Sequence, residues 1–201
     1  IGRGVAEALC ELEERGHTVG FASGKTFEYL DGLARGVGLK RLTAIAENGA
    51  VLYYGETLHT LAARPSFFDR LQSDIIHLFP EGRLQYNMVN LTVLAKGDTL
   101  EALTAHLMKA GACDGKSCQF YLHCDGAELL PSGVDKGRAL AELIRLSGFG
   151  AEDVTAAGNE AGDLPMRREA GLFLAVGNEI DGDKQFSDAD SLMAYLLEIC
   201  C

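Results

Sequence analysis

Tryptophan is absent from the 201 residues and proline occurs only four times. No apolar run approaches the ~20 residues that a membrane-spanning helix needs. Basic side chains are also short: 18 Lys and Arg stand against 29 Asp and Glu, a formal net charge of -11. Such a surface repels polyanions, which argues against nucleic acid or an anionic membrane as the main partner. A small phosphorylated ligand is compatible with it, because a local site can be positive inside a negative protein. No secretory apolar stretch opens the chain, and no paired C-x-x-C occurs among the six cysteines, so the cytoplasm is the expected compartment. Cys113, Cys118 and Cys124 could be taken with His123 for metal ligands, but their intervals are not those of a structural zinc site, and reduced thiols are the simpler reading. Cys200 and Cys201 are adjacent, where geometry strains a mutual disulfide.

What is present reads as alternating helix and strand. Val5, Leu9 and Leu12 mark one face of a helix that runs to Arg15 and ends at Gly16-His17. Thr18 to Ala22 then predicts a buried strand closed by Ser23-Gly24. Phe27 to Val37 predicts a helix, Leu42 to Ala46 a strand, and Glu47-Asn48-Gly49 a turn into a hairpin arm, Ala50 to Tyr54. From about Glu56 the composition shifts toward aromatics and scattered polar residues, which suggests an inserted α+β domain over 56–132 within a core of 1–55 and 133–201. Inside the insert, Arg83 to Leu94 and Gln119 to His123 are strand candidates and Thr99 to Ala110 a helix. Regular alternation resumes with a helix from Lys136 to Ser147, a strand from Val154 to Ala157, a helix from Leu164 to Ala170, a strand from Leu172 to Val176 and a closing helix from Asp190 to Ile199. The fold class is α/β: a three-layer, Rossmann-like core with a mainly parallel sheet, plus the insert.

Three short stretches carry candidate chemistry. The most informative is Gly158 to Met166, a polar, glycine-punctuated turn after an apolar strand, where open α/β sheets place their sites. Asp163, Glu160 and the amide oxygen of Asn159 are hard oxygen ligands that suit Mg²⁺, although Asp163 could equally be a plain helix cap. Ser23-Gly24-Lys25-Thr26 resembles a nucleotide-binding P-loop only superficially, because that loop needs glycine where Val19 stands. Ser23 instead ends a strand beside a helix N-terminus, where a hydroxyl and free N–H groups can hold one phosphate, or simply cap the helix. Lys136 opens a helix after Val134-Asp135; the helix dipole gives a cation nothing there, so the position suggests either an anion to bind or a solvated lysine.

Phe21-Ala22-Ser23-Gly24, Ala46-Glu47-Asn48-Gly49-Ala50, Val134-Asp135-Lys136-Gly137 and Gly158 to Met166 occur in an order that resembles the haloacid dehalogenase superfamily. The chain looks most like its class IIB branch with a C2-type cap, which includes archaeal phosphoglycolate, sucrose-phosphate and mannosyl-3-phosphoglycerate phosphatases. The resemblance implies a Mg²⁺-dependent phosphomonoesterase of small phosphorylated metabolites, with the cap closing over the site. Ser23 matches the hydroxyl that bonds the transferring phosphoryl group, and Lys136 matches the lysine that neutralises its charge. Gly24, Asn48 and Asn178 would border the phosphate or substrate. Asp163 and Asn159 match the metal-loop positions.

The same resemblance implies an aspartate nucleophile in a D-x-D-G-T strand, which this sequence lacks; its first acidic residue, Glu7, lies inside a helix. An N-terminally shortened phosphatase, inactive as residues 1–201, is therefore expected. Asn159 stands where the family usually has aspartate and Gly162 where it has asparagine, so weakened Mg²⁺ binding is expected too. A non-catalytic phosphate-binding relative and a phosphomutase are the alternatives.

Overall fold

A computed structural model describes residues 1–110 and 116–200; Cys113 and Cys201 lie outside them. Two compact units result, Ile1–His59 with the chain from Asp135 on, and Thr60–Val134.

In the first unit, α1 (Arg3–Glu14) leads to β1 (Phe21–Ala22), α2 (Phe27–Val37), β2 (Ala44–Ala46), β3 (Val51–Tyr54) and β4 (Thr57–Thr60). Thr26 caps α2 by accepting from the Tyr29 N–H, and Gly38 ends it with φ 101°. The carboxylate of Glu13, only 7% exposed, accepts from the backbone N–H groups of Lys40 (2.8 Å) and Arg41 (2.9 Å) and so ties α1 to the chain after α2. Glu13→Ala removes both bonds and is expected to cost about 2 kcal/mol, as is typical for bonds to a charged acceptor; an unchanged thermal midpoint would contradict this.

Strands β1 to β4 form one sheet in that order, with β1–β2 parallel and β2–β3 antiparallel. Gly55 and Glu56, both at positive φ, make the tight turn between β3 and β4. After α5 (Lys136–Ser147), strands β9 (Thr155–Gly158), β10 (Leu172–Val176) and β11 (Lys184–Phe186) form a second, all-parallel sheet ordered β11-β10-β9, and α6 (Ala189–Ile199) closes the unit. Ala44, Ile45 and Ala46 are buried in succession, as are Phe173, Leu174 and Ala175. Consecutive strand residues face opposite sides, so helices cover both faces and the unit has three layers. The core is thus mainly parallel, as the sequence suggests, but its strands are split between two sheets. Helix α1 packs on both α2 and α6, while α5 packs on β2 and β3 and on the 3-10 helix Ala161–Arg168. Between these helices, β1 and β9 each have one edge with no strand beside it among the described residues.

That open edge explains one difference from expectation: the first strand is two residues rather than five and only half-buried. A second is the segment after β9, a 3-10 helix instead of an α-helix; Pro165 within it has no N–H to give an α-helical ladder.

The second unit holds α3 (Phe67–Leu78), β5 (Arg83–Gln85), β6 (Leu91–Leu94), α4 (Gly97–Lys109), β7 (Cys118–His123) and β8 (Gly126–Pro131). Its strands form an antiparallel sheet ordered β5-β6-β8-β7. Phe68, Leu71 and Ile75 of α3 and Leu103 and Leu107 of α4 pack with Leu91, Val93 and Leu129 of the sheet. The expected long strand over 83–94 is a hairpin. Asn87 breaks it, since its amide nitrogen donates to Thr92 Oγ1 (2.7 Å) and its backbone N–H to the Gln85 carbonyl (3.0 Å). Cys118 is buried at the start of β7 and Cys124 exposed beyond its end, both free thiols.

Candidate active site

Every candidate residue lies in the first unit, in the turns that follow β1, β2, β9 and β10 or at the start of α5. Ser23 follows β1, its N–H bonded to the Ile45 carbonyl (2.9 Å) and its own carbonyl accepting from Asn48 (3.0 Å). The Lys25 carbonyl accepts from Glu47 (2.9 Å), so the Ser23–Lys25 loop and the Glu47–Gly49 turn are joined by backbone bonds. Ser23 Oγ accepts from the Lys25 N–H at 3.2 Å, which leaves its hydroxyl proton available to an anion. Gly24 lets Asn48 come close: a Cβ there would stand 2.9 Å from Asn48 Nδ2.

The same turn abuts the start of α5. Gly49 has φ +100°, and a Cβ on it would lie 2.1 Å from the Asp135 carbonyl oxygen. Asp135 caps α5 by accepting from the Arg138 N–H (2.8 Å), and Lys136 follows as the first helical residue. Its side chain is almost fully buried. Lys136 is 3% exposed and Asp163 5%, and Nζ lies 2.7 Å from Asp163 Oδ1. Asp163 Oδ2 accepts from the backbone N–H groups of Asn159 (2.9 Å) and Glu160 (3.2 Å). The anion that Lys136 finds within the protein is therefore Asp163, which also caps its own turn. Gly137 presses on the 3-10 helix, where a Cβ would come 2.3 Å from the Pro165 carbonyl oxygen, and Gly158 packs under Asp163 in the same way.

Ser23, Gly24 and Asn48 thus meet at one end of the unit, and the Asn48–Gly49 turn joins them to Lys136 and Asp163. Asn159 contributes its backbone, while its side chain is exposed. Asn178 is exposed in the bend after β10, at the same end of the parallel sheet as Asn159, but among the described residues no hydrogen bond ties it to the Lys136–Asp163 pair. Sequence reasoning did not find the packing role of Gly49, Gly137 and Gly158. Glycine beside a candidate polar residue was the available signal. It also left the direction of Glu160 undecided; Oε1 lies 3.7 Å from Lys136 Nζ, facing the site.

Mg²⁺ prefers oxygen ligands and commonly takes one or two carboxylates with water and substrate phosphate completing its shell. Among the described residues no three His, Cys, Asp or Glu side chains form a metal-holding group. The donors that are present, the carboxylates of Glu160 and Asp163 and the Asn159 amide, are all hard oxygens and fit such a water-rich site in their chemistry.

The profile of the haloacid dehalogenase-like hydrolases matches residues 83–191, more than half of the chain. The chain belongs to the haloacid dehalogenase-like hydrolases. Among sequence relatives, a phosphoglycolate phosphatase 2 from Saccharolobus solfataricus is 29% identical over 168 residues, which cover 83% of this chain and 67% of that protein. Two solved structures of the superfamily share the fold. A haloacid dehalogenase-like hydrolase from Bacteroides thetaiotaomicron has a TM-score of 0.83 at 17% identity, covering 99% of this chain and 92% of the other. A sugar phosphatase described as HAD subclass IIB has a TM-score of 0.67 at 15% identity, covering 99% and 92%. The order of motifs along this chain agrees with its membership of the haloacid dehalogenase-like hydrolases.

Proposed function

We propose that this hydrolase is a Mg²⁺-dependent phosphomonoesterase of small phosphorylated metabolites, of the phosphoglycolate or sugar-phosphate type, working in the cytoplasm. The observation that carries the reading is the buried Lys136 side chain, held by Asp163 and joined through the Asn48–Gly49 turn to Ser23 and its loop. In that position Lys136 neutralises charge on the phosphoryl group, where excluded water makes the interaction strong. Ser23 donates its hydroxyl proton to a phosphoryl oxygen. Gly24 leaves room for a close backbone approach, and Asn48 orients the ester. Asp163 keeps Lys136 fixed through Oδ1 and the metal loop folded through Oδ2. Mg²⁺ held at the loop that carries Asn159, Glu160 and Asp163 would supply further charge neutralisation at the phosphoryl oxygens.

The remaining requirement is a nucleophile. A carboxylate oxygen forms a bond to phosphorus while a second carboxylic acid of the D-x-D pair gives its proton to the departing ester oxygen, and water then cleaves the acyl phosphate, releasing phosphate and the free carboxylate. We place that carboxylate on a strand between β1 and β9. Their C-terminal ends both lead into the site loops, so the two open edges run the same way and a strand parallel to both could pair with each. None of residues 1–201 occupies that place among the described residues, so these residues alone should turn over no ester.

The experiment is phosphate release from a panel of phosphate esters, comparing residues 1–201 with a longer polypeptide that carries a D-x-D-G-T strand ahead of Ile1. Mg²⁺-dependent release by the longer form only, together with a higher melting temperature, supports the reading. Equal melting temperatures would remove the strand from the account. Conversion of a sugar phosphate to its isomer without release would instead identify a mutase. Asn159, a neutral amide where the family usually has a carboxylate, favours one competing reading, a non-catalytic phosphate-binding protein. Phosphate binding without release by the longer form would support it.

A further inference from the structure

Resting on that metal-dependent reading, the geometry points to Glu160, not Asn159 or Asp163, as the charged protein ligand of the divalent cation. Asp163 has no oxygen without a bond: Oδ1 faces the Lys136 ammonium at 2.7 Å and Oδ2 accepts two backbone N–H groups. Three of its roughly four lone-pair sites are taken, and a cation at the one left on Oδ1 would sit beside the Lys136 ammonium, which repels it. Asn159 has only a neutral amide oxygen to offer, so it can complete a shell but brings no charge. Glu160 is the next residue. Its side chain is 54% exposed, with Oε1 at 3.7 Å from Lys136 Nζ. That separation is an ion pair across a gap, beyond hydrogen-bond reach, so the carboxylate faces the site and keeps its lone pairs. One carboxylate, with water and substrate phosphate for the rest, is a normal Mg²⁺ arrangement. The charge lost at position 159 is in this way restored one residue later.

Because Glu160 lies on an exposed loop, Glu160→Gln leaves the Lys136–Asp163 pair and its caps in place. The test uses Mn²⁺ alone as the probe with residues 1–201, following bound metal by the loss of the free-ion electron paramagnetic resonance signal. No turnover is involved, so the outcome is independent of whether the protein hydrolyses any ester. Glu160→Gln should weaken Mn²⁺ binding by about tenfold, since charge count sets affinity at such sites. Glu152→Gln, which removes an exposed carboxylate before β9, should leave it unchanged. Asn159→Asp should tighten binding, and in that background Glu160→Gln should have a smaller effect, because a second carboxylate now shares the cation. Binding that is unchanged in Glu160→Gln, or lowered equally by Glu152→Gln, overturns the assignment, and so does an absence of Mn²⁺ binding by the parent. Circular dichroism that matches the parent keeps a loss of binding from being a loss of fold.

Discussion

Replacing Lys136 by methionine is expected to lower the stability of the first unit by about 3 kcal/mol or more, a large share of what a domain of this size has. Methionine nearly matches the lysine stem in volume, so the cost comes from charge instead of packing. Asp163 is 5% exposed, and with the ammonium gone its Oδ1 is left as an uncompensated buried charge. Two backbone N–H groups on Oδ2 remain, which lessens the penalty without removing it. Adding Asp163→Asn should therefore recover part of the loss, since a neutral amide costs less to bury than an unpaired carboxylate. In urea unfolding the double variant should lie between the parent and Lys136→Met. A single variant as stable as the parent would mean that the pair is hydrated and that its closeness has no energetic weight. Phosphate binding should be lost in both variants, because neither restores the cation.

Much of this site is legible in the sequence, for a physical reason. Lys136 opens a helix where the dipole does not favour a cation, and that local contradiction marks the residue as serving something beyond the helix. The boundaries of α2, α5 and β10 can be read from Thr26, Gly38, Asp135 and Gly148 as caps, together with apolar periodicity. Local signals fail where tertiary partners decide. Thr18 to Ala22 has the composition of a buried strand, yet a strand shows only where it has a neighbour, and β1 is paired on one side. The 83–94 segment is rich in strand formers at both ends, but Asn87 and Asn90 are poor ones, and Asn87 spends its side chain on the turn between β5 and β6. The partner of Lys136 is also beyond reach of periodicity, because Asp163 is 27 residues away and could as well be a helix cap. It is both.

The glycines at the close contacts give the other large expected effect, and here two energies of opposite sign can be compared. Gly137 lies in the first turn of α5, where alanine would ordinarily gain up to about 1 kcal/mol of helix propensity. Its Cβ, however, would sit 2.3 Å from the Pro165 carbonyl oxygen, a backbone atom that moves only if the 3-10 helix carrying Asp163 moves. Overpacking of this kind costs about 1–3 kcal/mol, so Gly137→Ala should be destabilising on balance and should loosen the Lys136–Asp163 contact. Gly49→Ala should be worse, because φ +100° adds backbone strain to a Cβ only 2.1 Å from the Asp135 carbonyl oxygen. Gly32, in the exposed middle of α2, has nothing within 4 Å of its Cβ position, and Gly32→Ala should instead stabilise by about 1 kcal/mol. The melting temperatures should therefore rank Gly32→Ala above the parent, the parent above Gly137→Ala, and Gly49→Ala lowest. If Gly137→Ala melted as high as Gly32→Ala, propensity would have outweighed the contact. Lys136 would then owe its place to Asp163 alone, with no help from the backbone packed around it.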